Sequence, residues 1–187
     1  MPVTALDPKT ALVIIDLQKG LMQYATAHPV DAVVRHAAAL ADAFRRHRLP
    51  VVLVNAVGGA PGRTEQRRPT GPFPPGFSEF VPELNQQPSD HVVSKRTWGA
   101  FTGTGLDQRL KNLNVTQLVI AGVATSAGVE STARQAHEHG YHVTLAVDAM
   151  TDTNPDSHAH SVTRIFPRLG ENGTSHEIIH LLDRRKE

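Results

Sequence analysis

Short apolar runs recur along this chain, each of strand length and most of them separated by a helical pattern, and this alternation limits the possible folds more than any other feature. Ala11–Ile15, Val51–Val54 and Leu118–Ala121 are continuous apolar stretches, and Tyr141–Val147 reads as a further strand. Runs of this kind belong to strands covered on both faces, the condition of a parallel sheet held between two layers of helix. After Pro29 and Asp31, the residues Val33, Ala37, Leu40 and Phe44 step by four, three and four, which makes one apolar helix face. A second helix is expected from about Ser126 to His139, with Val129, Ala133 and Ala136 on one face, an i,i+4 pair from Glu130 to Arg134, and Gly140 at its end. Thr104 with Asp107 suggests a capping arrangement for a helix through Leu106, Leu110 and Leu113. His91–Ser94 reads as a short strand, Ser157–Leu169 as a helix, and Glu177–Leu182 as a last strand or short helix. Repetition of strand, helix and strand predicts an α/β fold, a three-layer α/β/α sandwich with right-handed crossovers. The 187 residues suit one domain over 1–187. Periodicity leaves the strand order open.

Residues 57–90 break the pattern with Gly58, Gly59, Pro61, Gly62, Pro69, Gly71, Pro72, Pro74, Pro75 and Gly76. This is a long loop that Phe73, Phe77 and Phe80 can anchor, and its expected place is over the carboxyl edge of the sheet, with a short helix at Glu79–Leu84. A formal charge of +1, made of interspersed signs, argues against a field directed at nucleic acid or anionic lipid. Arg45, Arg46, His47 and Arg48 lie where a helix end suits cations. Cysteine is absent, which excludes disulfides, thiolate catalysis by this chain and cysteine-based metal sites. With no leader pattern and no apolar stretch near the roughly 20 residues that cross a bilayer, the expected location is cytoplasmic.

Chemistry-bearing residues collect at strand ends. Asp16 follows Ile15, Lys95 follows Ser94, and the small-residue turn Gly122-Val123-Ala124-Thr125-Ser126-Ala127-Gly128 follows Ala121. The carboxyl edge of an open α/β sheet is the usual place for a ligand. Brought together, these pieces supply a carboxylate, an ammonium and a helix start whose amides can hold an oxyanion. The alternative is a satisfied Asp16–Lys95 ion pair, with glycines that serve packing. Gln18 is a candidate partner for Asp16 or substrate, Trp98 a candidate aromatic wall, Phe101 a wall or core residue, and Arg63 a candidate clamp for a substrate carboxylate. Ser126 suits an N-cap better than a nucleophile. Thr125 offers a second hydroxyl, Thr132 is assigned to packing, and Asp148 is expected to organise the turn after its strand.

The wording around these residues, LVIIDLQKG at Asp16, VVSKRTWGAF at Lys95, LVIAGVATSAGVESTARQA at the turn and GYHVTLAVDAM after it, resembles the isochorismatase-like hydrolases from about Pro8 to Leu182. The resemblance implies a Rossmann-like, six-stranded, mostly parallel sheet of order 3-2-1-4-5-6, and a homodimer or larger homo-oligomer. In the amidase branch of that superfamily an aspartate, a lysine and a cysteine act together; the first two positions fall on Asp16 and Lys95. The cysteine position falls on Gly128. A non-proline cis peptide would lie between Val123 and Ala124, with the amides of Ala124 and Gly128 as the oxyanion hole.

Gly128 removes thiol chemistry but is compatible with the vinyl ether cleavage of the isochorismatase branch, in which the aspartate donates a proton and water is the nucleophile. The expected function is therefore a cysteine-independent, isochorismatase-type hydrolase acting on a small carboxylated metabolite, with Asp16 as general acid and Lys95 neutralising the substrate carboxylate. Two alternatives stay open: a catalytically silent homologue that binds a small molecule or partner protein, and an amide hydrolase using water or Ser126. The stretch Asn55–Arg68 holds no histidine or aspartate, and His158 with His160 falls short of a zinc shell. No metal and no cofactor are expected.

Overall fold

The computed structural model describes residues 3–25, 27–65 and 72–185. Pro69 and Gly71, part of the loop reading above, lie outside the described residues. Six strands form one sheet: β1 (Thr10–Ile15), β2 (Val51–Ala56), β3 (His91–Lys95), β4 (Gln117–Val123), β5 (His142–Thr151) and β6 (Glu171–Gly173). Their order is β3-β2-β1-β4-β5-β6, every neighbouring pair is parallel, and the order matches the one the resemblance implies. Five α-helices accompany them: α1 (Val30–Arg46), α2 (Leu106–Asn112), α3 (Glu130–Glu138), α4 (Pro155–His160) and α5 (Ser175–Asp183).

Alternation along β1 divides the core into two layers. Leu12 and Ile14 pack with Leu40 and Phe44 of α1 and with Ile178 and Leu182 of α5. Ala11, Val13 and Ile15 pack on the other face with Leu106 and Leu110 of α2, Ala133 and Ala136 of α3, and Phe166. Every residue of β1 is buried, as a central strand between two helical layers requires. Each fully buried leucine, isoleucine or phenylalanine contributes about 1.5–3 kcal/mol relative to exposure, so the two layers together outweigh any single polar contact.

Of four local expectations, the first and third are corrected and the second and fourth are sharpened. First, β5 does not end at Asp148 but continues to Thr151, because the pairing with β4 shifts between Ile120 and Gly122. Asp148 instead accepts the Ser175 amide at 2.6 Å and its hydroxyl at 2.7 Å, which anchors the start of α5. Second, Glu177–Leu182 is helical, and the three-residue strand β6 before it is too short and polar to read from pattern. Third, Thr104 does not form a capping box: α2 starts after Gly105, the Thr104 hydroxyl donates to Ala100 O at 2.6 Å, and Asp107 is held by Lys111 and Tyr141. Fourth, the 155–168 segment is helical in three pieces, α4, a wide turn at Ser161–Ile165 and a tight one at Phe166–Arg168.

A capping box does occur at α5. Thr174 accepts the Glu177 amide, and Glu177 accepts the Thr174 amide at 2.7 Å. Thr174→Ala leaves one of these helix-start amides without its partner, and urea unfolding should show a loss of about 1 kcal/mol.

The long loop docks where expected. Gln18 bridges to Phe80, the Gly20 amide donates to Phe77 O at 3.0 Å, and Phe73 packs on Phe77 with ring centroids 4.3 Å apart and planes tilted by 31°. Gly20 is required there, since a Cβ would stand 2.1 Å from the Phe77 ring. Among the described residues of the loop the helical part is the turn Pro82–Leu84, shorter than the expected Glu79–Leu84, because Val81 preceding the proline is extended.

Candidate active site

Parallel strands β1, β2 and β3 place Asp16 and Lys95 at one edge. Asp16 turns the chain directly after β1 with φ 53°, a left-handed conformation that aspartate tolerates better than most residues. Its amide donates to Val54 O at 2.8 Å, which fixes the turn to β2. Lys95 is the last residue of β3, and its ammonium reaches Asp16 Oδ2 at 2.7 Å and Thr97 O at 3.1 Å. The two residues are 5% and 3% exposed.

Asp16 Oδ1 has no hydrogen-bond partner among the described residues. Burial pushes the Asp16 carboxyl up to about 6, and the attraction and hydrogen bond of Lys95 oppose that rise without cancelling it. The group is thus poised between acid and carboxylate near pH 6, while its other oxygen stays tethered to the ammonium.

Asp16 and Lys95 open on a cavity of about 360 Å³. Ala124 and Gly128 line it from the turn after β4, Gly58 and Gly59 from the loop after β2, and Tyr24, Phe73 and Trp98 from the mouth. The peptide between Val123 and Ala124 is cis. The turn then winds through Thr125–Val129 as a wide helical turn into α3. A Cβ at Gly128 would lie 3.2 Å from Asp16 Oδ2, 3.2 Å from Val123 O and 3.0 Å from Ile15 Cγ2, so any side chain there abuts the acid. At Gly122, φ is 116° and a Cβ would stand 2.0 Å from Ile15 O. This glycine lets β4 meet the end of β1 closely enough for both strands to contribute to one cavity.

Of the other candidates, Trp98 lines the cavity and is 56% exposed. Gln18 does not bond Asp16 or line the cavity. It is fully buried, donates to Ala56 O at 3.1 Å and Phe77 O at 3.2 Å, and accepts the Ala56 amide at 2.7 Å, so it fastens the loop to β2. Phe101 belongs to the core against His139 and Tyr141. Arg63 is exposed and does not line the cavity. The Thr125 hydroxyl is buried, donates to Thr151 O at 3.0 Å and meets His158 Nδ1 at 2.9 Å. Ser126 is not an N-cap; its amide donates to Asp152 Oδ2 at 2.6 Å, and it does not line the cavity. Thr132 donates to Gly128 O at 2.7 Å and accepts the Ala100 amide at 3.1 Å, a structural tie between the turn and the segment after Lys95.

Sequence reading missed Asp152, which holds the amides of Ser126, Thr153 and Asn154 and thereby shapes the turn. It gives His158 no role beyond failing to complete a zinc shell, whereas the ring is half-buried against Thr125 and edge-on to His28 at 4.4 Å. Burial first, and His28 next, lower the affinity of His158 for a proton. A strand ending at Thr151 rather than Asp148 was the missing signal for both.

A larger groove of about 500 Å³ lies at the opposite, amino edge of the sheet. Its acidic residues Asp7 and Glu171 are engaged by the hydroxyls of Thr116 and Thr4 at 2.6 Å each, and it holds no buried acid–cation pair. The carboxyl-edge cavity is therefore the candidate for chemistry. Among the described residues, no group of three histidine, aspartate, glutamate or cysteine side chains is placed to hold a metal ion. No helix among them is long and apolar enough to cross a membrane.

Comparison with known proteins points the same way. The isochorismatase family protein YwoC of Bacillus subtilis (strain 168) is 40% identical over 181 residues, covering 91% of this chain and 93% of the relative. Streptothricin hydrolase of Streptomyces noursei is 36% identical over 141 residues, covering 74% of this chain and 48% of that protein. The solved structure of an isochorismatase family protein from Burkholderia thailandensis superposes with a TM-score of 0.87 at 39% identity, covering 96% of this chain and 98% of that one. The isochorismatase domain model matches residues 10–177. With the domain model, the relatives and the solved structure in agreement, the chain belongs to the isochorismatase family.

Proposed function

We propose that this chain is a hydrolase of isochorismatase type that cleaves a vinyl ether on a small carboxylated metabolite, with Asp16 as general acid and water as nucleophile. The observation that carries the reading is the Asp16 carboxyl: buried, raised to about 6, tied to Lys95 through one oxygen and without a partner on the other. No serine or cysteine is among the described residues lining the cavity, and the hydroxyls of its two threonines, Thr97 and Thr153, donate to Gly99 O and Asp152 Oδ1, which favours water over a side-chain nucleophile and counts against Ser126.

In the reaction, Asp16 gives its proton to the terminal methylene carbon of the vinyl ether. The carbon bearing the ether oxygen becomes an oxocarbenium ion, to which water adds. The proton lost by that water returns to the Asp16 carboxylate. Collapse of the resulting hemiketal breaks the carbon–oxygen bond and releases an alcohol and pyruvate. Lys95 holds the carboxylate left after proton donation, and that charge is stabilised at 2.7 Å without motion of either strand.

The test is release of pyruvate from isochorismate and other vinyl ethers, run beside ammonia release from a panel of amides. The pH profile supplies the sign. A general acid must be protonated, so kcat/KM should be flat well below pH 6 and fall about tenfold per unit above it. A rate that rises through the same range would make Asp16 a base and overturn the reading. Folding of a protein that turns over nothing on the panel would favour the silent homologue.

A further inference from the structure

Charge in the cavity is internally balanced. Asp16 and Lys95 are the only charged side chains among the described residues lining it, and they are bonded to each other. Lys95 spends a second proton on Thr97 O, so it has little left with which to hold a substrate anion. The next residue supplies what is missing. Arg96 does not itself line the cavity but lies between Lys95 and Thr97, which do, and, unlike Arg63, its guanidinium rests on a third lining residue, Gly58. A Cβ built on Gly58 would stand 2.8 Å from Arg96 Nη1 and 3.6 Å from Cζ, so the missing side chain is what seats the guanidinium at the rim. Arg96 is exposed, and no carboxylate among the described residues pairs with it.

Tyr24, Phe73 and Trp98 are three of the four large hydrophobic residues exposed on the described surface, and all three line this cavity. A planar cation without a carboxylate partner among the described residues, beside exposed aromatic side chains, is suited to a ligand with a flat body and a carboxylate, which the guanidinium can meet with two parallel N–H bonds. We infer that Arg96, rather than Lys95 or Arg63, determines specificity by receiving the carboxylate of a planar substrate. This rests on the reading of the cavity as the substrate site, but not on any chemistry by Asp16.

Trp98 is the chain's single tryptophan, so its emission reports occupancy of this cavity directly. Benzoate and benzamide share a ring and nearly a shape, and differ in charge. The wild type should bind benzoate at least about tenfold more tightly than benzamide. Arg96→Gln should erase that preference while leaving benzamide within about twofold, and Arg96→Lys should retain part of it. Gly58→Ala, which displaces the end of Arg96 without removing its charge, should weaken benzoate selectively. The inference is overturned if wild type shows no measurable benzoate binding or no preference for it, if Arg96→Gln binds benzoate unchanged, or if both probes weaken together. None of these readings needs turnover: an inactive protein with Arg96-dependent charge selectivity sinks the hydrolase proposal alone.

Discussion

Asp16→Asn should lower turnover of any vinyl ether the wild type cleaves by about 10²–10⁴-fold, the usual contribution of a positioned proton donor. Asparagine keeps the shape and tolerates the φ of 53° at this turn, so the backbone has no reason to move. The substitution nevertheless leaves the Lys95 ammonium, 3% exposed, without its anion. Removing one partner of a buried pair typically costs about 3–5 kcal/mol, and urea unfolding should register a loss of that order. Asp16→Asn combined with Lys95→Met should recover most of the stability and none of the activity. Activity above a tenth of wild type in Asp16→Asn would sink the general-acid assignment; recovery of activity in the double variant would show that the single variant had failed only by misfolding.

The same carboxyl affects stability in its own right. Folding raises its proton affinity from the ordinary 3.8 to about 6, so the folded state holds the proton more tightly than the unfolded chain. This group's contribution to stability is therefore full below about pH 4, declines as pH rises to about 6, and is level beyond. The sign is opposite to that of most ion-paired aspartates because desolvation exceeds the pull of Lys95.

Gly122→Ala should be the most damaging single methyl group in the described chain. The new Cβ would stand 2.0 Å from Ile15 O and 2.6 Å from Ile15 N, both backbone atoms of the central strand, at a φ of 116° that alanine rarely adopts. Neither side can yield without parting β1 from β4, so a loss above about 4 kcal/mol is expected, a large share of the total stability of such a domain. Soluble yield and urea unfolding measure it. An unchanged midpoint would mean that the two strand ends are further apart than described, and the shared cavity would go with them.

Much of this was legible in the chain. Apolar runs of strand length with helical spacing between them specify layers, and charged residues immediately after such runs mark Asp16 and Lys95 before any coordinate is known. Arg96 was hidden because its meaning depends on Gly58, in a different loop; beside Lys95 it reads as ordinary surface charge. Gln18 was misread for the converse reason: two residues after Asp16 it looks catalytic, but the backbone groups of Ala56 and Phe77 claim both ends of its amide. Asp152 escaped because a register shift between β4 and β5 carries the strand beyond the point where the pattern weakens.

The acid and its cation stand at the ends of β1 and β3, two places apart in the sheet, whereas the walls that meet a ligand come chiefly from loops. Loop sequences can drift, lengthen or be exchanged without altering the spacing that the sheet imposes on Asp16 and Lys95. On the reading proposed above, rim residues such as Arg96 can be exchanged to retune the ligand while the spacing of Asp16 and Lys95 stays as the sheet sets it.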